Sequence, residues 1–327
     1  MDGDHAKGQL PSQAGPEVSF VVIAYNESAN IERCIRAILN QQNCGRLEVV
    51  VVDDGSTDST AAIAEAIGQQ TGQVRVLRSP KNEGRGAARA RGVASATADF
   101  VAMVDADTLI PANWLQQCRQ AITNCDAVGG LAVPDGDVTY LYNTFRLTPR
   151  PRPHTFAITG NNGLYRRQVF EKVPLDPALA EGEDIALVKA MQAAGLRLHS
   201  LPELLVEHRE SKNFLQSLRW LFQSGKGAAR QYFRYGDVRL PDLAFALVIA
   251  STLGGALVPA RGHRLALSAA GAVVACTATA SAHTLSRFRL RRQDALRLAA
   301  AAATDSLLVA AYMAGRVVGL AGLGNAR

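Results

Sequence analysis

Three groups of carboxylates could do chemistry in this sequence of 327 residues. In Val51-Val52-Asp53-Asp54-Gly55-Ser56-Thr57-Asp58, two adjacent acids follow an apolar run directly. A carboxylate there can accept hydrogen bonds from the N–H of a base or from ribose hydroxyls. Helix capping accounts for Thr57 or Asp58 but leaves Asp53 and Asp54 unexplained. In Val104-Asp105-Ala106-Asp107, side-chain alternation in an extended chain puts Asp105 and Asp107 on one side. Hard oxygens at that spacing suit Mg²⁺ or Mn²⁺ that also holds a diphosphate. Glu181-Gly182-Glu183-Asp184 stands at a helix start. The helix dipole favours acids there, and Asp184 is equally suited to be a general base that takes the proton of an attacking hydroxyl.

These acids need a scaffold that gathers them. Val18–Ala24, Leu47–Val52, Val74–Leu77 and Phe100–Val104 are short apolar runs, suited to buried strands. Helical segments separate them: one capped by Ser28 or Asn30 and ending near Asn40, one over Ser59–Gln69, and one over Gly84–Ser95. Strands spaced in this way predict βαβ units and a mostly parallel sheet, which binds ligands at the carboxyl ends of its strands. Gly84-x-Gly86 opens a helix, but it is not a dinucleotide fingerprint. The first βα turn, Tyr25–Ser28, has no glycine, and Arg89 stands where a third Gly or Ala belongs. Arg85 and Arg89 are read instead as diphosphate contacts, with plain surface charge as the other account. Pro149–Pro153 predicts a stiff loop, and Glu183–Ala194 a helix stopped by Gly195.

The C-terminal third changes character. Leu243–Ala260 and Leu265–Leu285 contain no Asp, Glu, Lys or Arg, and each is close to the roughly 20 residues that cross a bilayer. Residues 299–320 form a third candidate, interrupted by Asp305 and Arg316. Phe214–Tyr235 reads as an amphipathic helix at a membrane surface, or as one packed on the soluble domain. The net charge of +6 lies wholly in the tail: residues 1–240 carry 26 basic and 26 acidic side chains, residues 241–327 carry 9 and 3. A nucleic-acid partner is therefore not expected, because its basic footprint would lie on the folded domain. Five Arg and one Asp in Arg287–Arg297, and seven basic against two acidic residues in Arg209–Arg239, place both flanks on the cytoplasmic side. The polar stretch Met1–Glu17 lacks the h-region of a signal peptide. The five cysteines are odd in number and form no CxxC pair, so they predict reduced thiols rather than a disulfide framework or a zinc site.

Taken in order, Ala24-Tyr25-Asn26-Glu27, Asp53–Asp58, Asn82-x-Gly84 with Ala88-Arg89, Asp105-x-Asp107 and Glu183-Asp184 resemble the family 2 glycosyltransferases over about residues 17–235. The resemblance implies an α/β GT-A nucleotide-sugar-binding fold, a UDP- or GDP-sugar donor, Mg²⁺ or Mn²⁺, and inversion at the anomeric carbon. By the same analogy Ala24, Tyr25, Glu27, Asp53 and Asp54 line the nucleoside side, with Asn82, Gly84, Arg85 and Arg89 on the donor. Asp105 and Asp107 serve diphosphate and metal, Gly160-Asn161-Asn162 the acceptor side, and Glu183 and Asp184 the catalytic position. His208 lies where some relatives place a further metal or phosphate contact, a buried structural histidine being the other reading. The expected organisation is an arm at 1–16, a GT-A domain at 17–210, an interfacial helix region at 211–240 and transmembrane helices over 241–327. The whole is expected to be a multi-pass protein of the cytoplasmic membrane with its catalytic domain in the cytoplasm and a lipid-linked or glycan acceptor. Gln216-x-x-Arg219-Trp220 also matches a pattern of processive polysaccharide synthases, which keeps that alternative open beside a non-catalytic nucleotide-sugar-binding protein.

Overall fold

The computed structural model describes residues 16–42, 45–133, 139–147, 160–179, 182–209, 212–236, 242, 246, 250, 261–288 and 294–324. The expected arm (Pro16 apart), the Pro149–Pro153 stretch, Glu181 and nearly all of the expected span at 243–260 lie outside the described residues. Four strands open the fold: β1 (Val18–Ala24), β2 (Leu47–Asp53), β3 (Val74–Arg78) and β4 (Phe100–Asp105). They lie parallel in the order β3-β2-β1-β4. Helices α1 (Ile31–Leu39), α2 (Thr60–Thr71) and α3 (Arg85–Ser95) make the crossovers.

Every residue of β1 is buried, as its unbroken apolar run requires of a strand covered on both faces. The two-residue period divides that strand between two cores. Phe20 and Val22 join Ile31, Ile35 and Ile38 of α1 and the fully buried Trp114, whereas Val21 joins Val101, Met103 and Tyr165 on the other face. Each such aliphatic side chain contributes about 1.5–3 kcal/mol when removed from water.

The second half of the sheet is mixed. It adds β5 (Thr108–Leu109), β6 (Ala127–Val133), β7 (Gly163–Arg166) and β8 (Leu198–His208), giving the order β3-β2-β1-β4-β7-β6-β8-β5. β7 runs antiparallel to both β4 and β6, β5 runs antiparallel to β8, and β6 pairs parallel with β8. Four helices connect these strands: α4 (Trp114–Ala121), α5 (Thr139–Phe145), α6 (Gln168–Lys172) and α7 (Glu183–Ala193). Gly195 follows α7 with φ +69°, a left-handed conformation suited to glycine at a helix end.

Among the described residues the helices α8 (Phe214–Tyr235), α9 (Arg261–Arg287) and α10 (Ala295–Gly324) follow. α8 starts in a capping box, in which Asn213 and Gln216 each accept the other's backbone N–H. It lies directly along α10. A Cβ on Gly315 would collide with the carbonyl of Phe222, and one on Gly225 with that of Tyr312, so small residues let the two backbones meet. Within α10, the 27 residues Ala295–Ala321 are long and apolar enough to cross a membrane, and among the described residues no other helix is. The expected span at 265–285 falls within α9, and the expected span at 299–320 within α10. Asp305 and Arg316, which interrupt the apolar pattern of α10, are both buried and both paired. Asp305 meets His283 Nδ1 at 2.8 Å and Thr284 Oγ1 at 3.1 Å, and Arg316 meets Asp242 at 2.6 Å.

Candidate active site

Three strands of the parallel half end at one level, because Ala24 is in register with Asp53 and Ile23 with Asp105. The turns beyond them form one rim. Asn26 takes the left-handed conformation at φ 56°, which Asn tolerates better than most residues. Its N–H donates to Ser56 Oγ (2.8 Å) and its Oδ1 accepts from the Thr57 N–H (2.8 Å), so it ties the first rim turn to the second. Tyr25 is exposed beside it. The Glu27 N–H donates to Thr60 Oγ1 (2.8 Å), and its carboxylate accepts from Asn30 Nδ2 (2.8 Å). Burial, together with the negative charges of Asp107 and Asp105, raises the Glu27 carboxyl to about 7, against the lowering influence of Asn30 and Lys212. The capping role offered for Asn30 is thus absent: its side chain goes to Glu27, not to a helix amide.

Asp53 and Asp54 are both buried, 4% and 5% exposed. Asp53 accepts from the Ser56 N–H at 3.3 Å. Asp54 uses both oxygens, accepting from the Glu83 N–H (3.0 Å) and the Gly84 N–H (2.9 Å). Glycine is required on each side of this joint. Gly84 has φ +92°, and a Cβ on Gly55 would lie 2.5 Å from the backbone of Lys81. Asn82 is exposed on the same loop, and Arg85 is half-buried at the start of α3.

Asp105 and Asp107 part company. β4 ends at Asp105 and the chain turns through Ala106-Asp107, so strand alternation stops before it can align the two. Asp105 meets Arg89 at 2.5 Å. Arg89 is 3% exposed and also pairs with Glu183, so the surface-charge account of Arg89 is overturned. Asp107 meets His208 Nε2 at 3.1 Å, a contact set by the register of Thr108 with His208 in the β5–β8 pair. Burial pushes the Asp107 carboxyl up, but His208's hydrogen bond and the charges of His208 and Lys212 outweigh it and hold the carboxyl below its ordinary value. For His208, burial pulls down while the bond to Asp107 and the nearby acidic charges raise its pKa above the ordinary value.

The residues fit a divalent cation in one way. Asp107 Oδ1 and His208 Nδ1 are buried without a hydrogen-bond partner, the condition expected of side chains aimed at a ligand. Among the described residues no three Asp, Glu, His or Cys could hold an ion by themselves. Mg²⁺ and Mn²⁺ take their remaining ligands from water and phosphate, so Asp107 Oδ1, with its other oxygen fixed by His208 Nε2, is a protein contribution that fits an ion held jointly with a diphosphate. Asp105, committed to Arg89, is a less direct ligand.

Across the rim, Asp184 stands in the first turn of α7 and accepts from the Gly160 N–H at 3.1 Å. Asn161 is half-buried. Asn162 is fully buried, and its polar atoms are engaged inside the protein. It donates to the carbonyls of Leu131 (3.2 Å) and Leu204 (2.9 Å), and it accepts from Trp114 Nε1 (2.7 Å). The charge of Lys212 reaches Glu27, Asp107 and His208, and its ammonium lies 5.2 Å from the Trp220 ring. Sequence reasoning missed Lys212, whose one signal was its place between an acid-rimmed strand and an aromatic helix. It also missed the tie made by Asn26.

An acidic rim on a parallel half-sheet, extended by a mixed second half, is the GT-A arrangement of nucleotide-sugar enzymes. Residues 19–174 match the family model described as glycosyl transferase family 2, and this part of the chain belongs to that family. The succinoglycan biosynthesis protein ExoO of Rhizobium meliloti is 33% identical over 205 residues, 56% of this chain and 57% of that protein, so the match spans little more than half of that relative. Glycosyltransferase AglE of Haloferax volcanii is 29% identical over 65% of this chain and 73% of its own length. The fold is also that of the mannosyltransferase PcManGT from Pyrobaculum calidifontis, solved in complex with GDP-Man and Mn²⁺. That likeness has a TM-score of 0.60 and 20% identity, and covers 93% of this chain and 87% of the other.

Proposed function

We propose that this protein is an inverting glycosyltransferase. It moves a sugar from a UDP- or GDP-sugar to a hydroxyl or phosphate acceptor at the cytoplasmic face of the membrane, in the synthesis of cell-envelope glycan or glycolipid. The observation that carries this reading is the position of Asp184. The Gly160 amide holds its Oδ2 and the Ile185 amide its Oδ1, each oxygen keeping a further lone pair, and its neighbour Glu183 is linked through Arg89 to Asp105 on the donor rim. With a hydroxyl acceptor, the Asp184 carboxylate takes the acceptor proton as that oxygen bonds to the anomeric carbon. The bond from that carbon to the diphosphate breaks, and its electron pair leaves with the nucleoside diphosphate. A divalent cation beside Asp107 and His208 would neutralise charge on that leaving group. Asp54 stiffens the donor side by holding the loop at Glu83 and Gly84.

The relative ExoO, named for succinoglycan biosynthesis, supports a polysaccharide or glycolipid product. α10 supports attachment to a membrane, and thereby a lipid-linked or membrane-delivered acceptor. The multi-pass arrangement further requires α9 and residues 243–260 to cross. Gln216-x-x-Arg219-Trp220 favours the processive alternative less than its letters suggest, because Gln216 caps α8. Product length on a defined acceptor separates processive from single transfer.

The test is a screen of UDP- and GDP-sugars in membranes with Mg²⁺ or Mn²⁺, reading release of the nucleoside diphosphate. With the active donor, Asp184→Asn should lower turnover by about 10²–10⁴-fold, the usual contribution of a positioned base, and leave donor binding intact. Near-normal turnover in that variant rejects the base, and binding of donors without transfer or hydrolysis favours a sensor.

A further inference from the structure

Arg89 is placed unlike any other charge at the rim. Its guanidinium lies between two carboxylates, Asp105 Oδ1 from the end of β4 and Glu183 Oε1 from the first residue of α7. Arg89 is 3% exposed and Glu183 2%. Gly160 lies flat against the same guanidinium, so that a Cβ there would stand 2.6 Å from Arg89 Cζ. The Gly160 N–H in turn donates to Asp184. One side chain therefore touches the donor-side acid, the helix that carries the base, and the residue whose amide orients that base.

With its fork committed to two acids and closed over by Gly160, Arg89 is not presented as a contact for the leaving diphosphate. Nor is such a cluster an obvious device for stability, because one buried and one half-buried carboxylate around one guanidinium keep a net negative charge, and buried ion pairs seldom outperform apolar packing. What a planar, bidentate guanidinium does supply is fixed geometry between two acids.

We propose that Arg89 is a positioning residue that sets Asp184 relative to the donor rim, with Gly160 as its obligatory cover. The inference rests on the glycosyl-transfer reading with Asp184 as base.

The experiment uses the full-length protein in membranes or detergent, the donor found active, and its nucleoside diphosphate with Mn²⁺ as the binding probe. Arg89→Lys keeps the charge and loses the fork. It should lower kcat by about 10–10²-fold, the cost of a misplacement near 1 Å, with the donor KM and the affinity for the nucleoside diphosphate changed by less than about threefold. Gly160→Ala should give the same split, and it carries the test if Arg89→Lys does not fold. In the Asp184→Asn background either substitution should add less than about threefold, since a residue that acts through the base has nothing left to position.

Effects that multiply in the double variant overturn the inference and leave the enzyme reading standing. So does weakened nucleotide binding in Arg89→Lys, which would make Arg89 a diphosphate contact, and so does a lowered melting temperature with unchanged kcat. Near-normal turnover in Asp184→Asn alone removes the base assignment, and this inference with it.

Discussion

The acidic turn after β2 and the acidic turn after β4 stand at the same level of one sheet, yet their carboxylates are used in opposite ways. Asp54 has both oxygens filled by the amides of Glu83 and Gly84. Asp107 has one oxygen on His208 and the other buried with no partner. A carboxylate offers about four acceptor sites, and leaving them empty away from water is costly. The saturated acid builds the loop, whereas the half-empty one keeps an acceptor oxygen open. Proximity to the rim is therefore by itself a poor guide to role.

Asp107→Asn tests that contrast with the largest expected effect. Turnover should fall by about 10²-fold or more, the scale of losing one preorganised electrostatic group. The melting temperature should fall as well, since His208 and Lys212 favour the Asp107 charge in the folded state and His208 loses its charged partner. Chelation with EDTA should slow the wild type and add nothing to the variant. If the variant keeps near-normal turnover and still responds to EDTA as wild type does, Asp107 is a structural acid and the contrast fails.

Asp54→Asn should act mainly on stability. An amide nitrogen then faces one of the two backbone donors, so stability should fall by about 1–3 kcal/mol, the cost of a buried hydrogen-bonding group left unmatched. Denaturant titration measures this. Turnover per folded molecule should fall less than in Asp107→Asn, and the opposite ranking would break the comparison.

The sequence made the parallel half of the sheet legible because β1 and β2 are short, mostly apolar runs rich in β-branched residues and polar turns follow them. It made α8 legible over its full length, Phe214–Tyr235, by its amphipathic pattern. The antiparallel half was not legible. β7 has four residues, β6 carries Gly129-Gly130, and β8 contains Pro202, so none shows a clean two-residue period. Their pairing is set by tertiary contact, to which local pattern is blind. The same limit explains the site. The acids could be named from the order of their motifs, but the turn at Ala106 that sends Asp105 to Arg89 and Asp107 to His208 has no letter-level signature. Arg89 reads as a diphosphate contact, or as plain surface charge, until Glu183 of α7 is seen to pair with it. Asp305 and Arg316, which looked like breaks in an apolar helix, are paired charges that only the fold of the tail could join.

A last expected effect lies at Glu27, whose backbone N–H meets Thr60 and whose carboxyl feels the turn after β4. Its carboxyl is raised to about 7 by burial first, with Asp107 and Asp105 adding to it. The folded state therefore holds this proton more tightly than the unfolded chain does. As pH rises from about 4.5 to about 7 the unfolded state releases its proton first, and the protein loses stability across that window. Glu27→Gln removes the titration while keeping an acceptor for Asn30 Nδ2. In EDTA, the variant should match wild type near pH 4.5 and exceed it above pH 7, as read from urea midpoints at several pH values. Replacing Asp107 by Asn in the wild-type background should narrow the window from its upper end without closing it, because burial remains. A stability difference that stays flat with pH would mean that Glu27 ionises like an exposed acid and that neither burial nor the charges after β4 act on it.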